Sequence, residues 1–105
     1  SRGYLLSPQE IENALLRHPA VAEVAVIGIP DDIMGNLVAA YVVPTADAET
    51  GDALAGEIME TARSLIAPYK VPKTVTFRDA LPKNPVGKIV RRTLKDEVRA
   101  TSLSK

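Results

Sequence analysis

Lys88 is the residue of this 105-residue sequence whose surroundings best suit chemistry. It follows Gly87 in a segment, residues 81–88, whose two prolines and one glycine predict an exposed loop without regular structure. A lysine there offers a compact positive charge with several donors on a long stem. Such a charge suits a phosphate or a carboxylate and stabilises negative charge during acyl or phosphoryl transfer. The alternative is one solvated lysine among many.

The loop lacks the pattern of a self-contained phosphate-binding site. A Walker-type loop needs glycine, four residues and then Gly-Lys-Ser/Thr. Here Pro82 takes the place of the first glycine, and Ile89 follows Lys88. Lys88 is therefore expected to reach a group that another domain holds.

Composition argues against several other classes of function. Thirteen basic and thirteen acidic residues cancel, whereas a protein built to hold a nucleic-acid backbone usually carries a positive excess. A basic stretch near the C-terminus keeps nucleic-acid binding open as a minor alternative. It comprises Arg91, Arg92, Lys95 and Arg99, but acidic residues interrupt it and no aromatic residues alternate with it.

Cysteine is absent and His18 is the single histidine, which excludes thiolate and imidazole metal sites.

The remaining global signals favour a cytoplasmic protein without a membrane span. The longest apolar run, residues 37–43, is too short to cross a bilayer, and no leader-like segment opens the sequence. Residues 1–6 are expected to form a turn or short hairpin, and the sequence begins in the middle of it. This suggests that the sequence is the C-terminal part of a larger protein. Two acidic pairs are expected to be structural, one in a helical turn and one in a loop: Glu10 with Glu12, and Asp31 with Asp32.

Capping residues and hydrophobic periodicity predict an α+β domain in the order α-β-β-α-β-α. Ser7 and Pro8 predict a helix start, with Glu10 completing a capping box and Pro19 ending the helix. Residues 21–29 and 37–43 predict an antiparallel pair of strands, the second buried on both faces. Residues 74–77 predict a third strand, so helices pack on a sheet of about three strands.

Two further helices complete this prediction. An apolar stripe at Leu54, Ile58, Ala62 and Leu65 predicts the second helix, which Pro68 ends. The last helix is expected over residues 91–99, with Leu94 and Val98 on its buried side.

Four stretches of the sequence resemble the adenylate-forming enzymes, which include acyl-CoA and aryl-CoA synthetases, luciferases and peptide-synthetase adenylation domains. They occur in the family's order and spacing and cover essentially the whole chain: residues 2–12, 18–23, 67–72 and 81–89. The turn at residues 6–8 favours the CoA ligases over the peptide synthetases. The resemblance implies that residues 1–105 form the small C-terminal domain of an acid–CoA ligase, with its large ATP-binding domain absent and the fragment alone inactive.

The resemblance also implies roles for particular residues. Lys88 corresponds to the catalytic lysine that contacts ATP and the acid during adenylation, with magnesium-bound ATP held mainly by the absent domain. The small domain then swings to present a CoA surface for thioester formation. In this second pose Gly3 lines the pantetheine tunnel between Arg2 and Tyr4. Further CoA contacts are implied at Arg63, Val71, Pro72 and Lys73.

Two departures from the family pattern concern CoA. Leu5 and Leu6 stand where many CoA ligases carry an arginine, and Met34-Gly35-Asn36 replaces Arg-Gly-Glu. A CoA phosphate is then expected to rely on Arg63 or Lys73. An alternative function is a recognition module in which Lys88 is the target of a regulatory protein lysine acyltransferase, because acylation removes the charge that adenylation needs.

Overall fold

The computed structural model describes residues 7–31 and 35–103, and the side chains of residues 7–29 and 37–100. A 3-10 turn, Pro68–Lys70, separates the second helix from the third strand. The predicted α+β class and element order are confirmed. The helices and strands are α1 (Pro8–Leu15), β1 (Val21–Asp31), β2 (Gly35–Pro44), α2 (Asp52–Arg63), β3 (Thr74–Phe77) and α3 (Arg91–Leu103).

The three strands form one mixed sheet in the order β1-β2-β3. β1 and β2 pair antiparallel, with Val24 opposite Val42, as predicted from the short connection between them. β3 adds to the other side of β2 in parallel, with Thr74 opposite Ala39. β2 is therefore the central strand, which explains its apolar run.

Helices cover both faces of this sheet. Ile11 of α1 and Ile58 of α2 are fully buried in one core, together with the side chains that β1 and β2 direct to that face. Leu94 of α3 is fully buried in a second core on the other face, where Leu81 and Tyr41 join it. Burial in this core raises the pKa of Tyr41. None of the helices in the described ranges is long and apolar enough to cross a membrane.

The start of α1 is confirmed and its predicted end is wrong. The Ser7 hydroxyl accepts a hydrogen bond from the Glu10 amide at 3.3 Å, as a helix cap does. The helix ends at Leu15 rather than next to Pro19, because the amides of Arg17 and His18 turn back to carbonyls three residues earlier. A residue that precedes proline disfavours the helical conformation, so the chain leaves the helix early.

The other two helices differ from prediction at their ends. In α2 the predicted residues Leu54, Ile58 and Ala62 face the core, but Leu65 lies beyond Arg63 and is 47% exposed. α3 extends to Leu103, four residues further than predicted by the apolar positions alone.

Candidate functional site

The Lys88 loop is a narrow hairpin closed by backbone contacts. Lys83 forms a β-bridge with Ile89, and the Val90 amide donates to the Pro82 carbonyl at 2.9 Å. Residues 85–88 are exposed, as predicted, and Val86 at the tip is 81% exposed, whereas Leu81, where the predicted loop begins, is buried in the second core. The β-bridge between Lys83 and Ile89 thus lies at the base of the hairpin, and residues 84–88 project beyond it.

Asn84 organises the projecting part of the loop. Its Oδ1 atom accepts from the amides of Val86 at 3.1 Å and Lys88 at 2.9 Å. The backbone N–H of Asn84 donates to the Lys88 carbonyl at 2.9 Å, and the backbone carbonyl of Asn84 accepts from the Gly87 N–H at 2.9 Å. Gly87 has a φ of 88°, in the left-handed region that glycine adopts without strain. These contacts fix the backbone of the lysine that the sequence singled out.

The Lys88 side chain lies exposed at a cleft of about 440 Å³ beside the start of β1. Lys83, five residues earlier, is neutralised by an ion pair of 2.7 Å with Glu23. Lys88 forms no ion pair with any side chain of residues 7–29 or 37–100. Its ammonium is thus available to an external anion, which a neutralised lysine is not.

A buried carboxylate in the same cleft holds three elements together. Glu12 accepts two hydrogen bonds from the Arg91 guanidinium, at 2.7 and 2.8 Å, and a third from the Val26 amide at 2.8 Å. This ties α1 to β1 and to the first residue of α3, directly after the Lys88 hairpin. Hydrogen bonding to Glu12 also raises the pKa of Arg91.

The residues implied as CoA contacts differ in what the structure shows of them. The Arg63 side chain is half-exposed and pairs with Glu60 one turn earlier on α2, at 2.6 Å. Val71 and Pro72 are buried, so their side chains support the chain rather than face solvent. Lys73 is exposed, and its amide donates to the Val38 carbonyl at 2.8 Å.

Some of the predicted residues lie outside the described part of the chain. These include the tunnel residues Arg2, Gly3 and Tyr4, their neighbours Leu5 and Leu6, and the loop residues Asp32 and Met34; Asn36 is described only through its backbone in β2.

Lys88 and Lys73 lie at diagonally opposite corners of the sheet. The Lys88 cleft adjoins Glu23 on edge strand β1, whereas Lys73 precedes β3, the opposite edge strand, at the level of Gly28. Between Glu23 and Gly28 the strand advances about 16 Å, and the two edge strands lie about 10 Å apart. Lys88 and Lys73 therefore cannot contact the same small region of a ligand at once.

Comparison with known proteins decides the family. The model of the AMP-binding enzyme C-terminal domain matches residues 10–88, three quarters of the chain. The chain belongs to this family. Its helices and sheet are arranged as in solved relatives. The resemblance inferred from four short stretches of sequence is therefore confirmed.

Three similar proteins are two CoA ligases and an acyl-CoA synthetase. The chain is 48% identical to 4-hydroxybutyrate–CoA ligase 1 of Metallosphaera sedula over 88% of its own length, and 48% identical to a long-chain-fatty-acid–CoA ligase of Bacillus subtilis over 90%. It superposes on an acyl-CoA synthetase of Brucella canis with a TM-score of 0.87 and 38% identity over 94% of the chain. The chain spans only 16% of the two curated relatives and 18% of the solved one.

Proposed function

We propose that residues 1–105 are the mobile C-terminal domain of an ATP-dependent acid–CoA ligase whose large nucleotide-binding domain lies outside this sequence. The observation that carries the proposal is the Lys88 ammonium, exposed and without an ion-pair partner in the described part of the chain, on a hairpin with a fixed backbone. The family supports it, because the similar proteins named above are ligases that join an acid to CoA.

The reaction that we propose has two steps. A carboxylate oxygen of the acid attacks the α-phosphorus of ATP, and pyrophosphate leaves with the electrons of the broken P–O bond. The CoA sulfur then attacks the carbonyl carbon of the acyl-adenylate, and AMP leaves as the thioester forms. Phosphoryl chemistry of this kind depends mainly on positioning and on stabilising charge. Lys88 supplies charge for the first step: its ammonium contacts the carboxylate and the α-phosphate, where negative charge is redistributed.

A different surface serves the second step in this proposal. Lys73 offers positive charge far from Lys88, on the side of the sheet where β3 begins. In this proposal the Arg63 guanidinium exchanges its pairing with Glu60 for a CoA phosphate. Both cations suit the phosphates of the CoA nucleotide, while Val71, in the core, and the buried Pro72 hold the segment before Lys73 in place. The distance between the two surfaces favours a domain that turns between the steps, with Arg2, Gly3 and Tyr4 lining the thiol tunnel in the second orientation.

The identity of the acid is not encoded in this domain. The chain is equally similar, at 48% identity, to a ligase named for 4-hydroxybutyrate and to one named for long-chain fatty acids. Those acids differ greatly in length and polarity, so the residues that the relatives share with this chain do not select between them. We therefore propose a carboxylic acid as the substrate and assign its selection to the large domain.

The products of the complete enzyme test this proposal. The complete ligase is incubated with magnesium, ATP, CoA and a series of carboxylic acids of increasing length. We expect AMP, pyrophosphate and thioester in equal amounts for the accepted acid, and about one equivalent of adenylate per enzyme when CoA is omitted. Formation of ADP and orthophosphate, or turnover of ATP without an acid, would contradict the proposal.

A second candidate function is regulatory modification of Lys88 by a protein lysine acyltransferase. It is favoured by one contrast: Lys88 is exposed and unpaired in the described part of the chain, while Lys83 in the same hairpin is bound to Glu23. Incubation with such an acyltransferase, followed by mass spectrometry, is expected to find the acyl group on Lys88. Equal modification of Lys83, Lys95 and Lys105 would reject a specific target.

A further inference from the structure

We infer that Asn84 is a positioning residue that presents Lys88 to the adenylation centre; this inference rests on the proposed function. Two amides, those of Val86 and Lys88, converge on the single Oδ1 atom of Asn84. Because an N–H donates, the atom between them has to be an oxygen, which a carboxamide provides. Asn84 thus contacts Lys88 through its side chain and also through its backbone N–H, which donates to the Lys88 carbonyl.

The position of these bonds in the hairpin explains what they do. The base of the hairpin is held independently of Asn84, by the bridge between Lys83 and Ile89 and by the bond from Val90 to Pro82. Residues 84–88 pack little, since Val86 is 81% exposed and Lys88 is also exposed. Without burial, the conformation of this projecting part depends on its internal hydrogen bonds. The side chain of Asn84 supplies two of them.

A fixed backbone matters for a long side chain that acts on a transition state. The lysine stem already has four rotatable bonds, and a mobile backbone would add further freedom that has to be lost at each turnover. Displacement of a catalytic group by about 1 Å can lower a rate on the order of a hundredfold. Asn84 limits that displacement without touching the substrate.

The test uses four variants of the complete ligase: Asn84→Ala, Asn84→Asp, Lys88→Ala, and the double variant Asn84→Ala with Lys88→Ala. Asn84→Ala is expected to lower kcat for acyl-adenylate formation on the order of ten- to a hundredfold, with little change in KM for ATP. Thioester formation from supplied acyl-adenylate should stay within about twofold, which also shows that the domain is folded. Asn84→Asp keeps an oxygen acceptor at the same place and is expected to restore most of the rate.

The double variant separates this inference from the proposed function. If Asn84 acts through Lys88, its removal should cost nothing further once Lys88 is alanine. Asn13→Ala is the matched control, because Asn13 is an exposed asparagine with its own side-chain hydrogen bond, on α1. An unchanged kcat in Asn84→Ala, equal loss in both half-reactions, or an additive double variant would overturn the inference. An unchanged adenylation rate in Lys88→Ala would instead overturn the proposed function.

Discussion

Replacing Lys88 by alanine in the complete ligase is expected to slow acyl-adenylate formation on the order of a hundredfold to a thousandfold. The variant removes the one group of the hairpin whose charge is exposed and unpaired among the described side chains. Thioester formation from supplied acyl-adenylate should be retained, since Lys73, the lysine proposed for CoA, lies at the opposite corner of the sheet. The two half-reactions are measured separately, by pyrophosphate exchange and by thioester release.

Two control variants define what the Lys88 result means. Lys95→Ala removes another exposed lysine, on α3, and should leave both half-reactions unchanged. Lys88→Arg keeps the positive charge but replaces a compact ammonium by a planar guanidinium, so it is expected to recover only part of the adenylation rate. Loss of both half-reactions to the same extent in Lys88→Ala would contradict the assignment of Lys88 to the first step.

Replacing Glu12 by alanine is expected to lower the free energy of unfolding of the 105-residue chain by about 2 to 3 kcal/mol. The side chain of Glu12 is only 9% exposed and accepts all three hydrogen bonds described above. Its loss leaves the buried Val26 amide without its acceptor. Arg91, which is 40% exposed, regains some hydration, so the loss falls at or below the lower limit of the roughly 3 to 5 kcal/mol for breaking a fully buried pair. Urea denaturation followed by circular dichroism measures the change.

Glu10→Ala is the matched control, because Glu10 lies two residues earlier on the same helix. Its carboxylate pairs with Lys70 at 2.9 Å on the surface, and this pairing raises the pKa of Lys70. Since water solvates both groups of such a pair when it is broken, Glu10→Ala should destabilise the chain much less than Glu12→Ala. Glu12→Gln, which keeps an acceptor for Val26, should fall between the two. Equal effects of Glu10→Ala and Glu12→Ala would contradict the role of the buried pair.

The parts of the fold that depend on local sequence could be predicted. Ser7 and Pro8 define the start of α1 because a cap needs only its own first turn. The pairing of β1 with β2 follows from a short connection. The parallel pairing of β3 with β2 was not predicted. It places Thr74 beside Ala39 although helix α2 separates them in the sequence, and no local pattern indicates which strand β3 pairs with.

The same limit applies to the site. Lys88 was predicted from the composition of its loop, and its exposure is confirmed. Glu12 was predicted to be structural, but its partner Arg91 lies 79 residues away and is invisible to a local pattern. Glu10 and Glu12 look alike in sequence, yet one is on the surface and the other buried. The order of residues, an asparagine directly before a proline in a turn, could have pointed to the role of Asn84. Composition alone does not include that order.

In the proposed mechanism, a positive charge at the end of the Lys88 side chain drives adenylation. Because the 105 residues contain no cysteine, Lys88→Cys introduces a single thiol into this domain. Alkylation with 2-bromoethylamine then rebuilds a side chain of lysine's length that ends in an ammonium, whereas 2-bromoethanol adds a neutral one of the same length. With the wild-type ligase treated in parallel, we expect only the ammonium to restore pyrophosphate exchange. Equal recovery with both reagents, or with neither, would contradict the role of this charge in adenylation.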